Sequence, residues 1–524
     1  MATSLRRRGG TERARTTTPL TTAPGRSDRR AVALTVAVAA VVVVGVALRF
    51  LTSSHLWLDE ALTVNIAKLP LSRIPDALRH DGSPPLYYLL LHWWIAAFGA
   101  GDIAVRALSA VLAIATLPLI WLAGQRLGGR RVAVAALVLL ASSPFASRFA
   151  TEARMYSLLG LLAVAGYLCL QRLIDRPSLG SAAGVAVASG LLLLTHYWSI
   201  YLLATVALMI LVRARRRRDR GALLPLAAMA AGGLLFVPWL ADFAYQVTHT
   251  GTPWAGVPTF KAVIDTVRSW AGGGGDAGEL LNLIFVALAV LAVFGLAVDR
   301  RHVDLDLRTR PGVRRLIIAC IGTLLLGLLA ADALHSAYVV RYTSVAFPLF
   351  ILVAAFGTLV FVDNRVRIGV LALAVLLGFC AAVPNIGNRR TQAGLVAAAL
   401  NRYATPGDVV GYCPDQLGPA VSRLVSVPVT QLTFPRAAPP EFVDWVDYAQ
   451  RNRAATTAPF AQMLDQRAGP RRVWLVWSPN YKTFGSKCST MIDRLHLLRP
   501  QMTRVVKVKP KYEEHMGLVR YDPR

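Results

Sequence analysis

The chain has 524 residues, of which 55% are hydrophobic and 16% are charged. Its hydrophobic residues form long uninterrupted blocks and its mean hydropathy is +0.48, which excludes an ordinary soluble protein and indicates a polytopic membrane protein. The formal net charge of +28 comes from short Lys and Arg clusters between the apolar blocks. Because the positive-inside rule accounts for such clusters, nucleic acid is not expected as a partner.

Residues 1–30 are rich in Arg, Thr, Ser, Gly and Pro and have no apolar face. This composition is typical of a disordered tail. Eleven later blocks are apolar enough to span a bilayer, although several are shorter than the roughly 20 residues of an upright helix. They predict an all-α transmembrane domain over residues 31–384 and comprise Ala31–Phe50, Ile103–Ala123, Val132–Phe145, Tyr156–Leu170, Gly180–Thr195, Tyr197–Val212, Ala222–Leu240, Leu280–Val298, Leu316–Ala331, Thr343–Val362 and Ile368–Val383.

The block Pro85–Phe98 decides the predicted topology. It has about 14 residues, the length of an interfacial or re-entrant helix rather than of a span. If it does not cross the membrane, Arg-rich connections such as Arg215–Arg218 and Arg314–Arg315 all fall on the side of the N-terminal tail. The positive-inside rule then predicts a cytoplasmic N-terminus in the plasma membrane. The first loop with its interfacial helices, the loop 241–279 and everything after Pro384 are predicted to face outward.

Residues 385–524 are less apolar and predict a small extracytoplasmic α/β domain. Strands are predicted at Asp408–Tyr412 and Arg472–Trp477, and helices at Gln416–Val425 and Lys487–Leu498. This domain contains two cysteines, Cys413 and Cys488. An oxidising compartment allows a disulfide between them, but the sequence leaves open whether the bond forms.

Asp59 and Glu60 follow the first span, at the start of an amphipathic segment, Leu58–Leu69. A helix N-terminus attracts acids through its dipole, which is one explanation for the pair. Carboxylates beside hydrocarbon also mark functional sites. Glycosyl transfer needs a carboxylate that takes the proton of an incoming hydroxyl, so Asp59 is a candidate general base.

His80 and Asp81 lie in a polar turn of the same loop, before a short helix that carries Tyr87, Tyr88, Trp93 and Trp94. The aromatic residues suit an interfacial belt. With Glu60 and His196, the turn residues are candidates for supporting catalysis or binding acceptor hydroxyls. His80 and Asp81 could instead bind a divalent cation.

Further charged and aromatic residues are predicted at outward-facing helix ends. An isolated Arg at such a place usually extends to the lipid headgroups. Several here are predicted on the same side as Asp59, which favours a site for a lipid phosphate built from Arg154, Tyr156, Arg341 and Tyr342. Such a site would stabilise a leaving phosphate.

The outer loop 250–278 carries Trp254, Trp270 and the run Gly272–Gly275. Aromatic residues on a glycine-rich loop could stack on the sugar rings of an acceptor or rest on lipid, and the sequence does not separate these two roles.

Several of these segments together resemble the GT-C glycosyltransferases that use polyprenyl-phosphate sugars, the group containing protein O-mannosyltransferases and aminoarabinose transferases. The resemblance covers about 31–384 and rests on Leu56–Ala61, Asp81–Leu89, Arg106–Ala110, Thr151–Tyr156, His196–Tyr197 and Arg341–Tyr342. Ser83 is a departure, because related sequences often have His there, which puts a metal role in doubt. Within the group, the chain looks most like actinobacterial cell-envelope mannosyltransferases such as those that cap lipoarabinomannan.

The resemblance implies an inverting transfer of a sugar, most simply mannose, from a polyprenyl-phosphate donor to a glycan or lipoglycan on the outer face of the membrane. Asp59 would be the base. Arabinofuranose from decaprenyl-phosphate-arabinose is the closest alternative. A flippase or transporter of lipid-linked sugars is an alternative of another class, although the sequence has no inverted repeat. A non-catalytic scaffold that binds wall polymer is a third.

Overall fold

The computed structural model describes residues 26–217, 220–252, 256, 258–307, 311–333 and 337–523. The chain divides into two compact units, 1–40 and 41–524. The first unit contains the start of helix α1, Arg26–Leu48, which begins within the segment expected to be a tail. The rest of that tail, Arg218 and Trp254 lie outside the described residues. The features below belong to residues 41–524.

The helices of the first half follow the predicted apolar blocks. After α1 they are α2 Leu58–Ala67, α3 Ile74–Asp81, α4 Leu86–Phe98, α5 Asp102–Ala141, α6 Pro144–Ala150, α7 Tyr156–Asp175, α8 Leu179–Leu193 and α9 Ser199–Arg217. The second half continues with α10 Leu224–Gly233, α11 Leu240–His249, α12 Phe260–Trp270, α13 Gly275–Phe294, α14 Pro311–Ala333, α15 Phe347–Gly357, α16 Asn364–Ala382 and α17 Pro384–Gly387. A small antiparallel pair, β1 Gly295–Ala297 and β2 Val303–Leu305, joins α13 to α14.

Helix α5 is two helices joined at a sharp bend, in agreement with the two spans predicted there. Gly128 and Gly129 leave the helical conformation, and Gly129 has φ +74°, which residues with a Cβ rarely adopt. The second arm ends at Ala141 rather than at the predicted Phe145. The reason is local, since the Ser143 side chain accepts from the N–H of Ala146 and Pro144 begins the new helix α6.

Within the described residues, seven helices are long and apolar enough to cross a membrane, and three shorter apolar helices accompany them. The predicted number of eleven is therefore not established by helix length. Two features account for much of the difference: α8 has only 15 residues, and α9 ends in a run of arginines. Pro85–Phe98 forms the short helix α4, with Tyr87, Tyr88 and Leu91 buried and Trp93 exposed.

The predicted outer loop 241–279 contains most of α11 and all of α12. Short 3₁₀ segments complete the helical elements at Leu71–Arg73, Arg220–Leu223, Leu234–Trp239, Val340–Val345, Thr358–Val360 and Asp415–Leu417.

The C-terminal residues form a five-stranded mixed sheet with helices. Its elements are α18 Ala393–Tyr403, β3 Val409–Cys413, α19 Gly418–Ser422, β4 Thr430–Thr433, α20 Tyr448–Ala454, α21 Thr457–Ala468, β5 Val473–Trp477, α22 Lys487–Leu498, β6 Met502–Val506 and β7 Gly517–Tyr521. The strand order is β4-β3-β5-β7-β6. β4, β3 and β5 are parallel, while β7 is antiparallel to both of its neighbours.

The two predicted strands correspond to β3 and β5, and α22 begins and ends where predicted. The helix predicted at Gln416–Val425 is shorter, because a 3₁₀ turn occupies its start and α19 ends at Ser422. The structure joins Cys413 to Cys488 by a disulfide, with their Cα atoms 5.4 Å apart, so it connects β3 to α22.

The sheet region packs against the first loop of the bundle. The N–H of Trp445 donates to the carbonyl of His80, and the N–H of Leu58 donates to Glu514 Oε1. The C-terminal residues therefore form one wall around the start of α2.

Candidate active site around Asp59

Asp59 lies in the first turn of α2, where the exposed N–H groups and the helix dipole favour a carboxylate. Its side chain is 16% exposed, and Oδ2 lies 3.0 Å from Nη2 of Arg341. The carboxylate is therefore partly exposed and paired with one guanidinium.

Arg341 reaches Asp59 from the 3₁₀ segment Val340–Val345. Its guanidinium carbon lies 5.4 Å from the centre of the Trp57 ring and 5.6 Å from that of Tyr342. Aromatic rings at these distances attract a cation and restrict its position. Arg341 Nε is buried and has no hydrogen-bond partner among the described residues.

Arg154 contacts α2 one turn after Asp59, on the same face of the helix, and is 8% exposed. Its Nη1 donates to Thr63 Oγ1 at 2.7 Å and to the Tyr88 hydroxyl at 3.2 Å. In the part of the chain that the structure describes, Arg154 Nε and the hydroxyl of Tyr156 are buried without partners. Buried polar groups are normally hydrogen-bonded, so the three free donors of Arg154, Arg341 and Tyr156 indicate a place for an anionic ligand.

His196 lies beside Tyr342 and Tyr156. Its ring centre lies 4.7 Å from that of Tyr342 and 6.3 Å from that of Tyr156. Burial, together with the charges of Arg154 and Arg341, lowers the pKa of His196 to about 3. Since Nδ1 accepts from the N–H of Trp198, the neutral ring has its proton on Nε2.

Glu60 is adjacent to Asp59 in sequence but lies in a closed environment. Arg106 donates to both of its carboxylate oxygens, at 2.7 and 2.6 Å, and the N–H of Ala153 donates at 2.9 Å. Burial opposes the negative charge, yet Arg106 and Arg390 keep the pKa of Glu60 below its usual value. Glu60 is 0% exposed, which does not fit the predicted role in binding the acceptor. Of its two predicted roles, only that of supporting catalysis is compatible with this burial.

His80 pairs with Asp444 rather than with Asp59, whereas Asp81 lies close enough to Arg154 and Asp59 for their charges to affect it. His80 Nδ1 lies 2.9 Å from Asp444 Oδ1, and Asp81 accepts from the Tyr88 hydroxyl at 2.7 Å. Both side chains thus have other partners, and burial raises the pKa of Asp81. Among the described residues no group of three or more His, Cys, Asp or Glu is arranged to hold a metal ion, so the predicted divalent cation gains no support.

The predicted acceptor-binding role of Trp270 was wrong. Its side chain is 0% exposed, its Nε1 donates to Thr343 Oγ1, and its ring packs beside Phe347 and Phe350. A fully buried ring cannot stack on an acceptor sugar. Gly272, with φ +116°, turns the chain after α12 where a Cβ would meet Pro144 Cγ at 2.9 Å, so this glycine belongs to a packed turn.

Sequence reasoning missed the contribution of the C-terminal residues to this site. Glu514 accepts from the N–H of Leu58, and Arg390 Nη1 lies 3.8 Å from Glu60. Sequence reasoning also missed Thr63 on α2, whose hydroxyl accepts a hydrogen bond from Arg154. No periodic pattern marks these residues, because their role depends on packing between segments that are distant in sequence.

An apolar cavity of about 40 Å³ lies directly beside Tyr156. Its walls include the rings of Phe145, Phe149 and Phe347, together with Leu140 and Pro348. Tyr156 therefore contributes both a free hydroxyl and part of the wall of a small cavity.

A family model described as dolichyl-phosphate-mannose-protein mannosyltransferase matches residues 82–241. This segment includes Arg154, Tyr156 and His196 but neither Asp59 nor Arg341. No curated protein sequence matches the chain.

Solved structures with a similar fold include ArnT from Cupriavidus metallidurans. In the apo state it is 15% identical with a TM-score of 0.59, and the match covers 93% of this chain and 98% of ArnT. ArnT bound to undecaprenyl phosphate is also 15% identical, with a TM-score of 0.58 and coverage of 94% and 98%. The Archaeoglobus fulgidus oligosaccharyltransferase in complex with Zn and sulfate is 11% identical, with a TM-score of 0.50 and coverage of 84% and 68%. At these identities the likeness establishes a shared fold.

Proposed function

We propose that the chain is a glycosyltransferase that moves a sugar from a polyprenyl-phosphate donor to a hydroxyl of a cell-envelope glycan or lipoglycan, with inversion at the anomeric carbon. The observation that carries this proposal is the placement of an accessible carboxylate, Asp59, against Arg341 and beside three buried donors without partners. A candidate base beside a candidate anion site is the arrangement that transfer from a sugar phosphate requires.

The donor phosphate would bind at Arg154, Arg341, Tyr156 and Tyr342. A donor phosphodiester carries one negative charge, and the polyprenyl phosphate released from it carries up to two. Two guanidinium groups stabilise this added charge, and their geometry suits phosphate oxygens. The apolar cavity beside Tyr156 offers the first part of a path for the prenyl chain. The ArnT structure bound to undecaprenyl phosphate supports this proposal through the shared fold.

Asp59 would act as the general base. The acceptor hydroxyl gives its proton to the carboxylate, its oxygen forms a bond to the anomeric carbon, and the bond from that carbon to the phosphate oxygen breaks. The electrons of that bond leave with the polyprenyl phosphate. Arg341, paired with Asp59 at 3.0 Å, would hold the carboxylate beside the leaving group.

Mannose is the sugar that we favour, because the family model that matches residues 82–241 describes mannosyltransferases. The resemblance to actinobacterial envelope enzymes also favours mannose. It further favours a lipoarabinomannan-type acceptor. Arabinofuranose is kept as the alternative to be tested.

The site would lie outside the plasma membrane, with a cytoplasmic N-terminus, a transmembrane domain over 31–384 and an extracytoplasmic domain over 385–524. The distribution of Arg clusters supports this orientation through the positive-inside rule. The disulfide between Cys413 and Cys488 supports it too, since such bonds persist in oxidising compartments.

The test compares purified wild type with Asp59→Asn, using Asp76→Asn on the exposed face of α3 as a matched control. Polyprenyl-phosphate-mannose and polyprenyl-phosphate-arabinose are supplied separately with a mannan or an arabinan oligosaccharide, and transferred sugar is measured. Transfer from one donor that depends on Asp59 but not on Asp76 would support both the reaction and the sugar. Undiminished transfer by Asp59→Asn would remove Asp59 as the base.

A further inference from the structure

Glu514 lies on the connection between β6 and β7, in the sheet region, yet its side chain reaches the start of α2. It is 6% exposed, and its Oε1 accepts a hydrogen bond from the N–H of Leu58 at 3.2 Å. Leu58 is the first residue of α2, directly before Asp59. The contact therefore joins the last part of the chain to the residue beside the proposed base.

The N–H of Leu58 needs a partner from outside its own helix. The first N–H groups of an α-helix have no intrahelical acceptor, and the side chain of Trp57, which precedes α2, makes no capping bond. Leu58 is itself buried, so water does not replace the missing cap at low cost. Glu514 supplies this cap from a distant segment.

The backbone holds Glu514 firmly in this position. Its N–H donates to the carbonyl of Arg390 at 2.8 Å, and its carbonyl accepts from the N–H of Gln392 at 3.0 Å. Arg390 in turn donates to the carbonyl of Thr151, next to the residues that hold Glu60. The cap is thus part of a fixed framework and not a mobile surface contact.

The charge of Glu514 also matters for Asp59. Burial raises the pKa of Glu514 to about 8, and the negative charges of Asp59 and Glu60 contribute, while Thr391 and the N–H of Leu58 act in the opposite direction. Near pH 7 the group is therefore mainly neutral. A neutral acid can accept from Leu58 without placing a second negative charge beside Asp59.

We infer that Glu514 is a positioning residue for Asp59: by capping the first turn of α2 it holds the base in the orientation that transfer requires. This inference rests on the proposed function. It assigns to the C-terminal sheet region a direct part in arranging the site.

The experiment uses full-length protein in lipid nanodiscs and compares Glu514→Ala, Glu514→Gln and the control Glu513→Gln. Glu513 is the adjacent, largely exposed acid, which pairs with Arg148. Two quantities are measured: the kcat and donor KM of sugar transfer, and hydrogen exchange of the amides in Leu58–Ala61.

For Glu514→Ala we expect kcat to fall by about 10- to 100-fold, the cost of a misplaced catalytic group, while the donor KM changes by less than about threefold. Exchange at the start of α2 should rise by about fivefold, the change expected from loss of one helix cap. Glu514→Gln keeps an acceptor oxygen for Leu58, so it should restore slow exchange and most of kcat. Glu513→Gln should match wild type.

Wild-type exchange and kcat in Glu514→Ala would overturn the inference. So would a Glu514→Gln protein with wild-type exchange but a kcat as low as that of Glu514→Ala, because the carboxyl group would then act in the reaction itself. If Glu514→Ala does not fold, Glu514→Gln still tests the inference, because wild-type exchange together with a kcat at least about 10-fold below wild type would overturn it. If the wild type transfers no sugar, the proposed function fails, whereas the exchange rates still test the cap.

Discussion

Asp59 and Glu60 are neighbours on one turn of α2, yet their surroundings differ completely. Glu60 is 0% exposed and is held by Arg106, the N–H of Ala153 and, at longer range, Arg390. Asp59 is partly exposed and pairs with Arg341. A buried ion pair with all of its hydrogen bonds formed fixes structure, while a carboxylate with few partners remains able to accept a proton. Of two adjacent acids, one can therefore stabilise the fold while the other remains available for chemistry.

The largest expected effect of a substitution at this pair is on activity, at Asp59. Asp59→Asn keeps the shape of the side chain but removes the basic carboxylate, so transfer should fall by about 10²- to 10⁴-fold, the usual contribution of a general base. Thermal unfolding should change little. Steady-state transfer assays and unfolding of the same preparation check both statements, and near-normal turnover would end the assignment.

Glu60 should show the opposite pattern. Glu60→Ala leaves Arg106 buried without its carboxylate, and breaking a buried pair in this way costs about 3–5 kcal/mol of unfolding free energy. We expect low yields of folded protein and a large decrease in Tm, measured in detergent. A stable Glu60→Ala protein that merely lost activity would show that Glu60 acts in chemistry and would weaken the comparison.

Substitution of Arg341, the ion-pair partner of Asp59, tests the same comparison. Arg341→Ala removes a cation from the proposed phosphate site, so the donor KM should rise by about 10-fold or more, the order expected when a charged hydrogen bond is lost. Arg341→Lys should recover only part of the effect, since the ammonium lacks the planar fork. An unchanged KM with a lower kcat would instead indicate that Arg341 serves mainly Asp59.

A further expected effect is a dependence of stability on pH that originates at Glu514. The folded protein raises the pKa of this carboxyl from about 4.5 to about 8. Between these values the unfolded chain loses the proton while the folded chain keeps it, so stability contributed by Glu514 is present below about pH 4.5 and is lost as pH rises towards 8. Tm profiles of wild type and Glu514→Gln from pH 5 to 9 test this. The profile of the variant should fall less steeply, and identical slopes would contradict the prediction.

Local patterns predicted many of the elements because they depend on residues close in sequence. The short apolar run in Arg472–Trp477 predicted a strand, and the helical spacing of Lys487–Leu498 predicted α22. The acidic start of α2 marked Asp59 and Glu60 before any contact was known. The same kind of reasoning misplaced Trp270, because an aromatic residue near glycines has the same local pattern whether its ring is exposed or buried.

The sequence by itself determined that the protein is built on apolar membrane helices, that a polar α/β region follows them, and that a pair of acids lies just after the first span. These conclusions need only hydropathy, periodicity and helix-end chemistry, which are local properties of the chain. Tertiary structure alone decided that Arg341 meets Asp59, that Arg106 encloses Glu60, and that Glu514 caps α2. Each of these contacts joins segments far apart in sequence, and burial and charge pairing at one point depend on how all of the intervening helices pack.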